Sequence, residues 1–188
     1  MNAGHMDFCL SDTWRQMLEE QVLPPALEQI DLGDDVLEIG PGPGFTTDVL
    51  RERTTRLTTV EIDGALYEPL AARLAGTNVD VVHGDATSLD LPDDRFSAAT
   101  SFNMLHHVPT ADDQDRIFRE LARVLRAGGI FLAVDDEENG GSRAFHEGDT
   151  YNPIDPATLP ARLTAAGFAD VEVRPYELGW ICTTRLRP

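Results

Sequence analysis

The chain has 188 residues, 41% of them hydrophobic, which is enough to bury the core of one domain. Its 33 acidic residues outnumber 15 lysines and arginines, so the formal net charge is −18 and the pI is near 4.4. Such a surface repels phosphate over a Debye length of about 8 Å; because no basic cluster opposes this, we expect no nucleic-acid partner and no membrane partner.

Cysteine usage and hydropathy suggest a reducing compartment. Cys9 and Cys182 lie near opposite ends of the chain without CxxC spacing, which predicts neither a disulfide framework nor a zinc site. No basic segment precedes an apolar run in the manner of a secretion signal, and no apolar run is long enough to cross a bilayer. We therefore expect a cytoplasmic protein with no bound metal.

The N-terminal residues 1–31 are predicted to form a helical cap. Residues 1–10 are expected to be irregular, and a helix capped within 11–13 should follow. Its apolar face repeats at helical spacing: Trp14, Met17, Leu18 and Val22. Pro24–Pro25 should interrupt this helix, with a second short helix over 26–30. Trp14 is interpreted as a packing residue rather than as a roof over a ligand.

Residues 35–47 contain the central motif. The apolar run 36–39 is too short for a typical helix and includes β-branched residues, which favours a buried strand. Three glycines follow at alternate positions, each allowing a sharp turn or the close approach of a ligand: Gly40, Gly42 and Gly44. A strand, a glycine turn and the start of a helix at Thr46–Thr47 together form a nucleotide-sized niche.

The glycine spacing separates two classes of nucleotide site. A dinucleotide fingerprint, GxGxxG, has no match here because Phe45 follows Gly44, which disfavours an NAD-linked oxidoreductase. The string GxGxG, preceded by Glu38, resembles motif I of the class I S-adenosylmethionine (SAM)-dependent methyltransferases. A glycine string of this kind is common, so further motifs at the right places along the chain are needed to support the resemblance.

A helix over 45–53 and a second strand over 56–62 are predicted next. In a βαβ unit, an acid roughly 20 residues beyond the glycine turn lies at the tip of the neighbouring strand, within reach of a ribose. Glu61 is preferred to Asp63 for this position, and Ile62 beside it is included among the predicted cofactor-binding residues.

A helix over 65–74 and a third strand over 79–83 continue the alternation. The strand is followed by Gly84, Asp85 and Ala86, and an acid at this place can accept a hydrogen bond from an exocyclic amine. The GDA string resembles the adenine-contacting motif of the same superfamily, so Asp85 and Ala86 are also predicted to bind the cofactor.

The fourth strand, 96–102, leads into the segment FNMLHHV. The stretch LPDDRFSAATSFNMLHHVP resembles the end of motif III through motif IV of these methyltransferases, and RVLRAGG resembles their following helix and fifth strand. The helix is predicted over 112–125, ended by Gly128–Gly129, and the fifth strand over 130–134.

The remaining residues complete the predicted fold. An acidic run, 135–138, precedes a substrate-side loop at 139–156, because loops carry specificity. A helix over 157–166 and two antiparallel strands, 168–174 and 177–186, follow. The order of elements predicts one α/β domain over residues 1–188, with a Rossmann-like, doubly wound, seven-stranded and mostly parallel sheet whose last strand is antiparallel.

The resemblance implies a role for each motif in holding SAM. The glycines would approach the methionine end and Glu38 would anchor its amino group. Glu61 would bind the ribose hydroxyls, Asp85 the adenine amine, and Asn103 would lie beside the sulfonium.

Histidines are the candidates for a general base, which is needed only if the acceptor is protonated at neutral pH. His106 is preferred and His107 is the alternative, although LHHV recurs in the superfamily and a packing role stays open. His146 with Asp149 is a second predicted pair. The acidic run 135–138 is interpreted as a solvated turn rather than as a metal site.

Three functions stay open from the sequence. A SAM-dependent methyltransferase of a small molecule is favoured. A ribosomal RNA adenine methyltransferase shares the VEID string but carries an NxPY-type motif where this chain has FNMLHH. A SAM-binding protein without turnover is the third interpretation, because binding motifs do not prove catalysis.

Overall fold

A seven-stranded sheet runs through the computed structural model, which describes residues 2–138 and 140–188. The strands are β1 Asp35–Ile39, β2 Arg56–Glu61, β3 Val79–His83, β4 Phe96–Phe102, β5 Leu125–Asp135, β6 Phe168–Tyr176 and β7 Gly179–Leu186. Their order across the sheet is β3-β2-β1-β4-β5-β7-β6. The first five pair in parallel, and β7 is antiparallel to both of its neighbours. The predicted fold class is confirmed.

Helices cover both faces of this sheet. They are α1 Ala3–Cys9, α2 Asp12–Met17, α3 Leu23–Leu27, α4 Phe45–Leu50, α5 Gly64–Leu74, α6 Ala111–Val124, α7 Gly140–Phe145 and α8 Leu159–Ala166. All five residues of β1 are buried, as expected for a parallel strand covered on two sides. Along β1, Val36 belongs to one buried cluster and Leu37 and Ile39 to the other, because alternate side chains point to opposite faces. Within the described chain, no helix has both the length and the apolar character needed to cross a bilayer.

The N-terminal segment is helical where an irregular chain was predicted. The Asn2 side chain accepts a hydrogen bond from the His5 backbone N–H and so caps α1; Met1 lies outside the described residues. Nor does Pro24–Pro25 break the next helix, because a π-helical turn, Leu18–Val22, passes directly into α3. Pro24 and Pro25 lie in the first turn of α3, directly after this π-helical turn.

The glycine pair Gly128–Gly129 lies inside β5 and does not end α6, so that prediction is wrong. The helix stops at Val124, and Leu125 already pairs with Phe96 of β4. The next pair of this ladder joins Ile130 to Ala98, so the intervening glycines form a bulge. Gly128 has φ +75°, which only glycine adopts without strain.

The segment predicted as a loop at 139–156 contains the short helix α7 and begins a 3-10 turn at Pro156–Thr158; Asn139 lies outside the described residues. This segment packs on the N-terminal helices. The Asn2 side-chain amide donates to the backbone carbonyls of Phe145 and Glu147, at 3.3 and 3.1 Å. The two segments thereby meet on one side of the sheet.

Candidate active site

A cavity of about 1220 Å³ opens at the carboxyl ends of β1 to β5. Most small-molecule pockets measure about 300–1,000 Å³, so this one has room for two small molecules side by side. Eight of the ten residues predicted from the sequence line it: Gly40, Gly42, Glu61, Ile62, Asp85, Ala86, Asn103 and His106. The other two, Glu38 and Gly44, belong to the supporting layer beneath.

The glycine turn leaves one side of the cavity without side chains. Gly40 and Gly42 both have positive φ, +66° and +56°. A Cβ added to Gly40 would collide with the Met104 side chain, whereas one added to Gly42 would meet no atom within 4 Å. Gly40 is therefore required for packing, and Gly42 presents its bare backbone to the open space.

The Glu61 carboxylate joins the tips of β1 and β2. Its Oε2 accepts a hydrogen bond from the Gly42 N–H at 3.0 Å, and its Oε1 accepts from the Asp63 N–H at 2.9 Å. Burial raises the pKa of Glu61, and these backbone donors oppose part of that rise. The side chain is only 5% exposed, so the strand tips hold a largely desolvated acceptor directly beside the glycine turn.

The tips of β3 and β4 supply the next polar groups. Asp85 Oδ1 accepts from the Thr87 N–H at 2.8 Å, which closes the turn after β3. Asn103 has φ +51°, a conformation that asparagine tolerates better than most residues. Its backbone N–H donates to Val134 at 2.8 Å, and its side-chain oxygen is buried without a hydrogen-bond partner among the described residues. An unpaired buried acceptor at the rim of a cavity is a group that a ligand would satisfy.

Glu38 supports the glycine turn from below. It is 1% exposed, and its two carboxylate oxygens accept hydrogen bonds from the hydroxyls of Thr46 and Thr47, at 2.5 and 2.6 Å. Burial raises the pKa of Glu38, and the two hydroxyls oppose that rise. These bonds tie the first turn of α4 to β1. The sequence marked Thr46–Thr47 as a helix start but contained no signal that they pair with Glu38.

Gly44 provides clearance between two helices. It precedes α4 with φ +86°, and a Cβ there would collide with Leu70 and lie 2.7 Å from Arg73, both on α5. The third glycine of the motif therefore leaves space for the side chains of Leu70 and Arg73.

We expect Gly44→Ala to lower the free energy of unfolding more than Gly42→Ala does. Both alanines would be strained by about 1–3 kcal/mol at positive φ, but only the Gly44 variant would also press on Leu70 and Arg73. Urea denaturation measures this difference. Gly42→Ala is the matched control, and its larger effect should be on cofactor affinity. Equal losses of stability would contradict the packing role.

His106 forms a buried pair with Asp135 on the far side of the cavity. Its backbone N–H donates to Asp135 Oδ2 at 3.2 Å, and its Nδ1 contacts Asp135 Oδ1. Burial alone would lower the pKa of His106, but the charges of Asp135 and Asp136 outweigh it and the pKa is raised. Because Nδ1 contacts the Asp135 carboxylate, the proton of the neutral imidazole lies on Nδ1, and Nε2 is the nitrogen that can accept a proton. Since Asp135 is 1% exposed, the interpretation of the acidic run as a solvated turn is wrong at this residue.

The predicted pairing of His146 with Asp149 is also wrong. The Asp149 carboxylate contacts His5 Nδ1 at 2.8 Å, and His146 Nδ1 donates instead to the Ser142 carbonyl at 2.7 Å. His107 completes a group of packed rings: its centroid lies 5.0 Å from that of His5 and 5.3 Å from that of His146. Burial lowers the pKa of His107 to about 2. His5 was not predicted from the sequence, because it lies 144 residues from its partner.

The fold and the site together define a class: a Rossmann-like domain of the class I SAM-dependent methyltransferase type, with polar groups at consecutive strand tips. The Methyltransferase domain family matches residues 37–133, which is more than half of the chain. The chain belongs to this family, and SAM is the cofactor of its class.

Relatives agree on the class and differ in their acceptors. A probable SAM-dependent methyltransferase of Mycolicibacterium smegmatis is 35% identical over 53% of this chain and 37% of its own length. A demethylmenaquinone methyltransferase of Clavibacter sepedonicus is 32% identical over 92% of this chain and 78% of its own length. A probable ribosomal RNA small subunit methyltransferase A of Pyrococcus abyssi is 35% identical, over 40% of this chain and 29% of its own length. The chain thus spans about a third of the first and last of these relatives.

A solved structure agrees with the fold. The SAM-dependent methyltransferase of Mesorhizobium loti superposes with a TM-score of 0.74 at 18% identity, covering 89% of this chain and 99% of that one. At this identity the likeness concerns the fold.

Proposed function

We propose that this protein transfers a methyl group from SAM to a small, apolar acceptor of the quinol class. The observation that carries the proposal is the division of one cavity into two chemically different halves. Strand tips supply a polar half with buried acceptors, while the N-terminal helices and the 140–149 segment supply an aromatic half. The first half suits the cofactor, and the second suits an apolar ring.

The polar half of the cavity suits SAM, because the polar groups at the strand tips are already held in place by hydrogen bonds to the backbone. SAM supplies a methyl group activated by a positively charged sulfur. Glu61 would accept from the ribose hydroxyls through lone pairs that Gly42 and Asp63 leave unused, Asp85 would accept from the adenine amine, and the unpaired Asn103 oxygen would lie near the reacting end. Gly42 leaves room for the methionine portion. We assign Glu38 a supporting role, because it is 1% exposed, lies beneath the cavity lining and binds the hydroxyls of Thr46 and Thr47.

The aromatic half supports an apolar acceptor. Phe8, Trp14 and Phe145 line the cavity there, with ring centroids of Phe8 5.5 Å from Trp14 and 5.4 Å from Phe145. Trp14 packs against the buried core, as predicted, and also lines the cavity. Aromatic rings in a pocket favour flat apolar ligands, and the Clavibacter relative, which covers most of this chain, is named for a quinone-type acceptor.

His106 is the proposed general base. Its free Nε2 would take the proton from an acceptor hydroxyl as that oxygen or the adjoining ring carbon forms the new bond to the methyl group. Asp135 holds the opposite nitrogen and stabilises the charged imidazolium, so it acts as a positioning residue. Holding both reactants in line can supply roughly 7–11 kcal/mol of barrier reduction.

We further propose that residues 1–188 act as one domain, in which residues 1–31 and 139–156 cover the acceptor. The hydrogen bonds of Asn2 to the 140–149 segment support this arrangement.

Two free thiols, at Cys9 and Cys182, suit a reducing compartment, so we propose a cytoplasmic location.

An acceptor panel tests the function. Purified protein with SAM should release S-adenosylhomocysteine in the presence of reduced 1,4-naphthoquinone, and the product should gain one methyl group by mass spectrometry. A small-subunit ribosomal RNA transcript is the rival substrate and should stay unmethylated, since the charge of −18 repels it. Methylation of the transcript without methylation of the quinol would overturn the proposed acceptor class. SAM binding without turnover on any acceptor would contradict catalysis and favour a SAM-binding protein that is not an enzyme.

A further inference from the structure

Three histidines from three separate segments meet on the acceptor side of the cavity. One ring nitrogen from each of His5, His107 and His146 lies within 4.8 Å of the other two. Two of the rings are buried, and the third is partly so. We propose that these three side chains bind a transition-metal ion of the Zn²⁺ class, a site that the sequence did not predict.

Hydrogen bonds at Nδ1 leave the Nε2 atoms of the three rings available for coordination. The Nδ1 atoms of His5, His107 and His146 contact the Asp149 carboxylate, the Thr150 carbonyl and the Ser142 carbonyl, at 2.8, 3.4 and 2.7 Å. An oxygen partner at Nδ1 keeps the proton there and leaves a lone pair on Nε2. Metal-binding histidines usually have this arrangement, with a carboxylate or a carbonyl behind the ring.

The Nε2 atom of His146 points independently to a ligand. It is buried, its residue is only 6% exposed, and it has no hydrogen-bond partner among the described residues. Buried polar atoms are rarely left unsatisfied. A cation held jointly with His5 and His107 would satisfy it.

The dimensions and the ligand type favour zinc. Zn–N bonds of about 2.0–2.1 Å place tetrahedral ligand atoms about 3.3 Å apart, which modest ring rotations reach from a separation of at most 4.8 Å. Three imidazoles suit Zn²⁺, Cu²⁺ or Ni²⁺ and not Mg²⁺ or Ca²⁺, which prefer oxygen. Three protein ligands leave a fourth position, which water or an acceptor oxygen would take from the cavity.

A neighbouring triplet does not compete for this assignment. One nitrogen of His106 and one carboxylate oxygen each of Asp135 and Asp136 also lie within 4.8 Å of one another. However, His106 Nδ1 is the atom that contacts Asp135, so that nitrogen is already used in a hydrogen bond. The proposed metal site therefore uses nitrogens other than those of the proposed base, although the His106 ring lies beside it, with centroids 4.1 Å from His107 and 5.0 Å from His146. The metal proposal stands whether or not the protein transfers a methyl group.

The test is a metal titration of the chelator-treated full-length protein. Calorimetry with Zn²⁺ should show one site per chain. Co²⁺ substituted at that site should give the intense visible absorption of a tetrahedral ion, while Co²⁺ on surface carboxylates gives the weak absorption of an octahedral one. His146→Gln should abolish the intense band. Asp149→Asn should weaken Zn²⁺ binding by about 10- to 100-fold, the usual effect of losing the partner behind a ligating histidine.

His83→Gln is the matched control, because His83 lies outside the cluster and stacks on Tyr67 with centroids 5.0 Å apart. It should leave the affinity and the band unchanged. Circular dichroism shows whether each variant is folded, and Asp149→Asn keeps all three ligands should His146→Gln misfold. The proposal is overturned if wild-type protein binds Co²⁺ only with weak octahedral absorption, or if the intense band survives in His146→Gln.

Discussion

Replacing His106 with glutamine is expected to reduce the turnover number for quinol methylation by about 10²- to 10⁴-fold, the range that a positioned general base contributes. The affinity for SAM should stay unchanged, because His106 lies on the acceptor side of the cavity. Glutamine keeps much of the volume of the buried ring but cannot take a proton at neutral pH. Single-turnover kinetics together with a SAM titration separate these two effects.

The pH dependence of turnover tests the role of His106 as a general base more specifically than the loss of turnover in the glutamine variant does. Because the pKa of His106 is raised, its basic form appears only as the pH rises through a value above 6.5. Turnover should therefore increase across that range. Asp135→Asn removes the charge that raises the pKa and should move the midpoint to lower pH while reducing the plateau. Asp80→Asn, an exposed acid on β3, is the control for charge. A profile unchanged in Asp135→Asn would leave His106 with a packing role only.

Replacing Glu61 with glutamine is expected to weaken SAM binding by about 10- to 100-fold. Hydrogen bonds to a charged group contribute about 1.5–3 kcal/mol, and each 1.4 kcal/mol corresponds to a tenfold change. A carboxylate accepts from both ribose hydroxyls at once, while an amide offers one acceptor oxygen and a competing donor. Isothermal titration with SAM measures the change.

The Glu61 variant needs a control for the glycine turn, because the same carboxylate accepts from the Gly42 N–H. A melting temperature close to that of wild type would assign the loss to the cofactor contact. Asp80→Asn removes one acid from the neighbouring strand and should bind SAM normally. Wild-type affinity in Glu61→Gln, or tight binding of NAD in place of SAM, would contradict the assignment of the strand tips.

The sequence predicted the sheet well because its signals are local. Short apolar runs broken by glycines and acids are enough to locate a strand and its end, and strands 79–83 and 96–102 have the predicted bounds. Predictions at helix ends were poorer. Gly128–Gly129 is locally typical of a helix stop, yet pairing of Leu125 with Phe96 draws the chain into β5 before the glycines are reached. Long-range pairing decided between two conformations that the local sequence allows.

The motif from Glu38 to Gly44 shows the same limit in the site. Its spacing was sufficient to predict a nucleotide-sized niche, but packing divides its residues into two roles. Gly42 is open to the cavity, whereas Gly44 makes room for α5 and Glu38 binds Thr46 and Thr47. Such contacts depend on how the helices pack against the sheet, and the spacing of residues along the chain does not reveal this packing.

By itself, then, the amino-acid sequence determined where the strands lie along the chain and which acids follow them, because periodicity and glycine spacing act over a few residues. The class of protein was implied by the resemblance of its motifs to those of the methyltransferases. Only the tertiary structure decided which histidines meet. His5 and Asp149 lie 144 residues apart, and Asp135 reaches His106 because β4 and β5 lie side by side. Groups distant in sequence come into contact through the burial of apolar faces, and that process is a property of the whole chain.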